Sequence, residues 1–331
     1  MASTMEKVGI GLGLAAVGAA GFVAALPWIV QPFLRLALFP RYDLRPIGLE
    51  NLPRTGPVLL VSNHVTWYDG FFLAGTLPRR GTALVNAGVF GLPVVGLLAR
   101  RSGMLSIPYT GPKAQKAAIT SARKALDDGR LLGIFPEGQL TRTGMTGPFH
   151  RGLEVILSGR EGVPVVPVYI HNAWGSLLSY SGGRFLRKWP RGWRRTIVLS
   201  FGPPIDPPVT AFAARQAVMV EGVRARAAFP KLSRPLETID PALPHFEDPA
   251  LGPLTGSALD QVRDESKQIG QKPGTVGHPL PGVAIRAVDD AGRPLPADAD
   301  GELEALVPGR DGWTRLGRRG RLDRDGFVSL T

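Results

Sequence analysis

Cysteine is absent from the 331 residues, which excludes disulfide bonds, thiolate nucleophiles and metal sites with cysteine ligands. No Gly-x-Ser-x-Gly motif occurs, so the sequence does not indicate a serine nucleophile on a strand-to-helix elbow. Acidic residues are in the minority: the sequence has 27 Asp and Glu and 39 Lys and Arg, which gives a net charge of +12. That balance favours nucleic acid, anionic lipid or acidic small molecules as partners without choosing among them. The length and the hydrophobic share of 44% support a sizeable core in about two domains.

Charge is also missing from one long stretch near the start. Residues 8–30 contain no charged side chain and are rich in Gly and Ala. About 20 apolar residues span the core of a bilayer, so we expect residues 1–40 to form a helical membrane anchor that either spans the bilayer or lies in one leaflet. A signal peptide and a buried core helix are the alternatives. Arg41 and Arg45 follow, and the positive-inside tendency then places the rest of the chain on the cytoplasmic side of the inner or plasma membrane.

The sequence SNHVTWYDG at 62–70 lies between a strand signal at 58–61 and the start of an apolar helix at 71–77. Histidine titrates near neutrality, so His64 is able to take and return a proton. On a continuous helix, residues five apart point about 140° away from each other. Asp69 therefore reaches His64 only if His64 lies in the loop and Asp69 in the first helical turn, where Asp is favoured. The pair is either a catalytic dyad or an ordinary cap or surface pair.

A second strand runs into a turn at 133–139, sequence GIFPEGQ, and again delivers an ionisable residue, Glu137. Ligands of α/β proteins bind at the carboxyl ends of strands. Two strand ends that bring His64, Asp69 and Glu137 together therefore predict an active site, although this analogy names no reaction.

Short apolar runs alternate with helical stretches from residue 41 to about 210, which predicts an α/β domain. We expect further strands at 130–135, 163–170 and 196–201, and a helix at 113–126. The prolines within 163–170 favour an edge or a strand end for part of that run.

The segment at 184–195 carries six cations, two Trp and no acid. Trp prefers the membrane interface, and cations near an anionic leaflet are attracted by about 1 kcal/mol each. The segment is thus a membrane-facing loop or, alternatively, a solvated basic loop. A nucleic-acid patch is disfavoured beside a membrane segment.

The composition changes near residue 240, where Pro, Gly, Asp and Arg become more frequent. We predict a linker at 241–270 and a small β-rich segment at 271–331. Strands are expected at 283–288 and 301–307, with a turn at 289–292.

The motifs NHVTWYDG at 63–70 and FPEG at 135–138 resemble those of the glycerolipid acyltransferases, the PlsC-type enzymes. Residues 106–108 and 163–168 are similar to that family's second and fourth blocks. Residues 63–78, 141–144 and 233–238 look closest to the acyltransferase portion of the bifunctional 2-acylglycerophosphoethanolamine acyltransferase/acyl-ACP synthetase. The resemblance covers roughly residues 35–240 and implies a PlsC-type α/β domain over 41–240.

This resemblance implies transfer of an acyl group from acyl-CoA or acyl-ACP to the free hydroxyl of a lysophospholipid, such as lysophosphatidylethanolamine or lysophosphatidic acid. His64 would remove the hydroxyl proton, and Asp69 would orient the imidazole and stabilise its cationic form. The imidazolium would then protonate the departing thiol. Direct transfer without an acyl-enzyme is favoured, and no metal, cofactor or nucleic acid is expected. A decayed membrane scaffold and an esterase that uses the same pair with water are the rival hypotheses.

Acceptor binding is assigned by the resemblance to the turn after the second strand, at Phe135, Pro136, Glu137 and Gly138. Family members usually carry Arg one or two places after the Glu-Gly pair, where this chain has Gln139 and Leu140. Arg142 is the nearest cation, and we expect it to hold the acceptor phosphate; the alternative is a changed acceptor preference.

Residues 272–283, 312–313 and 320–327 resemble a middle fragment of adenylate-forming enzymes. That family's Thr-Gly-Asp is Leu316-Gly317-Arg318 here, and Arg is unable to accept the ribose hydroxyl protons. The family's phosphate loop is also missing, so we expect no adenylation activity from this tail.

Overall fold

The computed structural model describes residues 36, 38, 40–91, 96, 97, 99, 100, 103–107, 112–183, 193–232, 235–263 and 266–331. Nearly all of the predicted anchor at 1–40 and most of the basic segment at 184–195 lie outside these residues. Among the helices that are described, none is long and apolar enough to cross a membrane.

A seven-stranded sheet with the order β1-β7-β6-β2-β5-β3-β4 organises the chain up to residue 201. Its strands are β1 (Tyr42–Ile47), β2 (Val58–Ser62), β3 (Gly81–Asn86), β4 (Leu105–Ile107), β5 (Leu131–Ile134), β6 (Val165–His171) and β7 (Arg195–Phe201). Strands β2 to β6 run parallel, whereas β7 is antiparallel to β6 and parallel to β1. The parallel strands end, and β1 and β7 begin, at one edge, which we call the carboxyl edge.

Both faces of the sheet are covered, and this explains the continuous apolar runs of its inner strands. Along β2, Val58 and Leu60 join one buried cluster, while Leu59 and Val61 join the other. The helices are α1 (Asp69–Thr76), α2 (Ala87–Phe90), α3 (Pro112–Asp127), α4 (Gly152–Leu157) and α5 (Ala211–Ala228), with 3₁₀ turns at Leu49–Asn51, Ser181–Gly183 and Pro230–Leu232. The expected strands and helix of this region are present with small shifts at their ends.

Strand β6 is an inner strand, and all seven of its residues are buried. Pro167 nevertheless lies at the end of the pairing between β6 and β7. Pairing with β7 starts at Val168, and beside it the Pro167 carbonyl accepts a hydrogen bond from the Gly202 amide. Proline has no N–H to return, so the antiparallel ladder stops there.

The C-terminal residues form a four-stranded antiparallel sheet of β14 (Ala284–Val288), β15 (Gly301–Leu306), β16 (Thr314–Leu322) and β17 (Val328–Leu330). Short strands precede it: β8 (Glu247–Asp248), β9 (Gly252–Pro253), β10 (Thr255–Gly256), β11 (Gln261–Arg263), β12 (Ser266–Gln268) and β13 (His278–Pro279). The stretch expected as a linker thus holds five short strands, and Leu254 within it is buried in the core of the C-terminal sheet. The division into domains at 240 and 270 stays a prediction.

The C-terminal sheet packs on helix α5. Met219 and Val223 of that helix are buried against Ala284 of β14, and the Gln216 side chain donates to the Ile285 carbonyl at 2.7 Å. Helix α5 therefore contacts the seven-stranded sheet on one side and the C-terminal sheet on the other.

Candidate active site

The loop after β2 is fixed to the neighbouring strand β6 by one buried side chain. Asn63 accepts a hydrogen bond from the Ile170 amide at 2.8 Å and donates to the Ile170 carbonyl at 3.2 Å. A side-chain amide used in this way replaces the backbone pairing that would otherwise continue the strand. The next residue, His64, is thereby held at the carboxyl edge.

His64 and Asp69 are in contact. The imidazole Nδ1 lies 2.9 Å from Asp69 Oδ2, in the arrangement expected from their five-residue spacing. Asp69 is the first residue of α1, and Tyr68 rather than Asp69 occupies the N-cap. The loop turns back on itself so that the histidine precedes the helix and faces its first turn.

The Asp69 carboxylate is completely buried, and its Oδ2 accepts all of its hydrogen bonds among the described residues, whereas Oδ1 accepts none. Besides the imidazole, Oδ2 accepts from the backbone amides of Val65 at 2.6 Å and Thr66 at 2.9 Å. The N-terminus of a helix also favours a negative charge. A carboxylate held in this way fixes the imidazole orientation and, when Nδ1 carries the proton, leaves Nε2 as the basic nitrogen.

One face of the imidazole packs on the residue that follows the second strand, Phe135. The rings of His64 and Phe135 stack with centroids 4.1 Å apart and 14° between their planes. The His64 side chain is 22% exposed, so the ring is supported on two sides and still reachable from solvent.

Glu137 is buried behind this loop. Its Oε1 accepts from the His64 amide and its Oε2 from the Gly147 amide, both at 2.8 Å. Burial raises the pKa of Glu137 to about 7, while the two amide donors and the Arg215 charge oppose this shift. The carboxylate therefore joins the His64 loop to residues 146–147, and its expected contact with an acceptor stays a prediction.

The other expected acceptor-binding residues surround the same loop. Pro136 is buried and accepts through its carbonyl from the His150 amide, and Gly138 turns with φ of +67°. The Thr141 amide donates to the His64 carbonyl at 2.8 Å, which places Arg142 one residue from that contact. The Arg142 amide donates to Gln268 of β12 at 2.6 Å, and its guanidinium lies 5.8 Å from the centre of the Tyr180 ring.

Sequence reasoning missed two residues that support this site, Gly147 and Arg215. Gly147 lies in a loop with no periodic signal. Arg215 had one available signal: it interrupts the small and apolar residues that recur along one face of residues 211–225. A charged residue inside such a stripe is buried with it if the helix is covered on that face.

A His–Asp pair and a glutamate at neighbouring strand ends of an α/β sheet define a candidate site for proton transfer. A family model described as acyltransferase matches residues 44–171. The 1-acyl-sn-glycerol-3-phosphate acyltransferase of Pseudomonas aeruginosa is 30% identical over 194 residues, which is 55% of this chain and 68% of that protein. The chain therefore belongs to the acyltransferase family, with its PlsC-type α/β fold.

Other relatives match a shorter part. The chloroplastic 1-acyl-sn-glycerol-3-phosphate acyltransferase BAT2 of Brassica napus is 30% identical over 142 residues, 43% of this chain. The chain spans 41%, 39% and 50% of the length of three curated relatives. Among solved structures, the 1-acyl-sn-glycerophosphate acyltransferase PlsC of Thermotoga maritima is 22% identical with a TM-score of 0.40, covering 56% of this chain and 68% of that one. An amide bond synthetase of Marinactinospora thermotolerans and the O-succinylbenzoate coenzyme A synthetase of Bacillus subtilis are 16% and 13% identical, with TM-scores of 0.22 and 0.18.

Proposed function

We propose that this protein is a membrane-associated glycerophospholipid acyltransferase. It transfers a fatty acyl group from acyl-CoA or acyl-ACP to the free hydroxyl of a lysophospholipid, lysophosphatidic acid or lysophosphatidylethanolamine. The observation that carries the proposal is the 2.9 Å contact between a partly exposed imidazole and a fully buried carboxylate. Family membership then supplies the reaction class.

The reaction needs one proton taken and one returned. His64 Nε2 takes the proton of the acceptor hydroxyl while that oxygen attacks the thioester carbonyl carbon. The new C–O bond forms, the C–S bond breaks, and the imidazolium gives its proton to the departing sulfur. Asp69 stabilises the imidazolium between these steps, and the Phe135 ring keeps its plane fixed.

Supplying labelled acyl thioester with and without lysophospholipid tests this proposal against its rivals. We expect labelled phospholipid only when the acceptor is present. Free fatty acid without acceptor would indicate an esterase, and no product at all would indicate a scaffold. Acyl-CoA and acyl-ACP run in parallel identify the donor.

Arg142 is proposed to bind the acceptor phosphate, because it follows the residue that contacts the His64 carbonyl. The substitution Arg142→Ala is expected to raise the acceptor KM at least about 10-fold, the scale of a lost charge-assisted contact, with little change in kcat. Arg151→Ala is a matched control, since Arg151 is exposed and pairs with Glu154. An unchanged KM would exclude the role of Arg142.

The carboxyl edge is proposed to face the membrane. Trp67, Phe71 and Trp193 are 55%, 36% and 85% exposed, and Arg41 donates to the Trp193 carbonyl at 2.8 Å. Exposed aromatic residues beside arginine suit an anionic lipid surface. The acceptor would then reach His64 from the bilayer, on the cytoplasmic side. Equal binding to neutral and anionic vesicles would discard the electrostatic part of this proposal.

A further inference from the structure

A fully buried arginine lies under the candidate active site. Arg215 of α5 has no exposed surface, and its guanidinium donates from Nε to the Gly147 carbonyl at 3.0 Å and from Nη2 to the Thr146 carbonyl at 2.9 Å. A planar guanidinium is suited to bind two successive carbonyls in this way, whereas a lysine ammonium is a single point of charge.

The two carbonyls belong to the loop that holds Glu137. The Gly147 amide donates to Glu137 Oε2, and Glu137 Oε1 accepts from the His64 amide, each at 2.8 Å. A continuous chain of hydrogen bonds therefore runs from Arg215 to the backbone of His64. Displacement of the guanidinium would loosen both ends of the Glu137 bridge.

The C-terminal sheet closes the other side of this arginine. Gly326, in the turn between β16 and β17, packs directly on the guanidinium, and a Cβ at this position would lie 2.2 Å from Arg215 Cζ. Burial lowers the pKa of Arg215 to about 10, and the charges of Glu137, Asp323 and Asp325 oppose this shift, so the guanidinium stays charged at neutral pH.

We propose that Arg215 is a positioning residue through which the C-terminal sheet holds the His64 loop in its reactive geometry. The tail that resembles an adenylate-forming fragment is then a structural part of the acyltransferase site. This inference rests on the proposed function for its kinetic consequences, and the structural coupling is measurable without it.

The first experiment replaces the guanidinium. Arg215→Met is expected to lower kcat by about 10-fold while the acceptor KM changes less than about 2-fold, because the site is misaligned rather than blocked. Arg226→Met is the matched control: Arg226 lies on the same helix and donates to the Pro281 carbonyl at 3.1 Å, and among the described residues it makes no hydrogen bond to Glu137 or to the loop at 146–147. Arg215→Lys keeps the positive charge and is expected to lower kcat less than Arg215→Met does.

The pH profile separates positioning from a general loss of structure. Glu137 faces His64, Asp69, Tyr169 and Arg215, and only Arg215 among them carries a fixed positive charge. Arg215→Met removes the charge that favours the Glu137 carboxylate. The midpoint of the acid limb, where kcat/KM rises with pH, is therefore expected to lie about one pH unit higher than in the wild type. Arg215→Lys is expected to leave the limb in place. An unmoved limb in Arg215→Met would count against the inference.

The second experiment acts from the C-terminal sheet. Gly326→Ala is expected to reproduce the kcat loss of Arg215→Met, because the new methyl group displaces the guanidinium. Gly312→Ala is the control, since Gly312 has a similar φ, +81° against +88°, and no atom of the described residues beyond its chain neighbours lies within 4 Å of the added Cβ. Amide hydrogen exchange of peptides that contain His64 and Gly147 is measured on the same proteins.

We expect faster exchange in both peptides for Gly326→Ala and for Arg215→Met, and no change for Gly312→Ala. If the wild type makes no acceptor-dependent product while exchange still responds, the proposed function fails and the coupling stands. If the wild type is active and folded variants of Arg215 and Gly326 keep both its kcat and its exchange rates, the coupling itself is wrong.

Discussion

Replacing His64 with alanine is expected to lower kcat for acyl transfer by at least about 100-fold, the usual contribution of a general base. His64 is the one histidine among the described residues that is partly exposed and hydrogen-bonds through Nδ1 to a buried carboxylate. Asp69→Asn is expected to reduce kcat as well, because the amide keeps the shape of the carboxylate but does not stabilise an imidazolium.

Steady-state kinetics with saturating acceptor measure this loss. His245→Ala is a suitable control, because His245 is exposed and its one hydrogen bond among the described residues joins Nδ1 to the nearby Leu243 carbonyl. Circular dichroism and thermal unfolding establish that His64→Ala is folded. A folded His64→Ala protein with more than about a third of wild-type kcat would contradict the mechanism.

Glu137→Gln is the second substitution with a large expected effect. The carboxylate accepts two backbone N–H bonds, whereas glutamine has one acceptor oxygen and turns its NH₂ group toward a second donor. We expect at least about 10-fold lower kcat, because one of the two Glu137 hydrogen bonds that join the His64 loop to Gly147 is lost. An unpaired buried amide also costs about 1–3 kcal/mol of unfolding free energy. Glu247→Gln, at an exposed position of β8, is the control.

The free energy of unfolding is expected to depend on pH through the titration of Glu137. The pKa of Glu137 is about 7 in the folded protein and 4.5 in its unperturbed state, so the folded state binds the proton more tightly. The contribution of Glu137 to the unfolding free energy, about 3 kcal/mol, is fully present below about pH 4.5 and is lost as pH rises to about 7. His171 and His278 act in the opposite sense, since burial lowers their pKa values to about 4 and about 3.

The difference between wild type and Glu137→Gln isolates the glutamate from these histidines. The difference between the unfolding free energies of the two proteins, measured with denaturant at several pH values, is expected to decrease as pH rises from about 4.5 to about 7. A difference that is constant from pH 4.5 to 8 would show that Glu137 does not titrate in the fold. Transfer activity is expected to follow the opposite trend and to rise toward pH 7, where the carboxylate accepts both N–H bonds.

The local part of the site was predictable, because spacing and turn chemistry determine it. His64 and Asp69 lie five residues apart, and the only geometry that joins them is a loop followed by a helix start. The meeting of this loop with residues 135–137 followed from the general position of ligand sites in α/β folds. The inward orientation of Glu137 did not follow, since it depends on an amide at Gly147 supplied by a loop without pattern.

The place of Arg215 in the site could not be predicted from the sequence. Arg215 contacts a loop 68 residues earlier in the chain, and its burial depends on a turn more than a hundred residues later. No periodicity encodes such a pairing. Strand β1 was missed for a related reason: it is an edge strand on which only Tyr42 is buried, so its apolar signal is weak.

The reversed direction of β1 and β7 has a practical consequence for shortened forms of the protein. Because both strands start at the carboxyl edge, Arg41 and Trp193 meet at the edge that carries His64, where the Arg41 guanidinium donates to the Trp193 carbonyl at 2.8 Å. A shortened protein that begins at Tyr42 therefore loses this contact as well as residues 1–40. A full-length Arg41→Ala protein separates the two causes: equal losses of turnover in both proteins would assign the effect to the contact, and a loss confined to the shortened protein would assign it to residues 1–40.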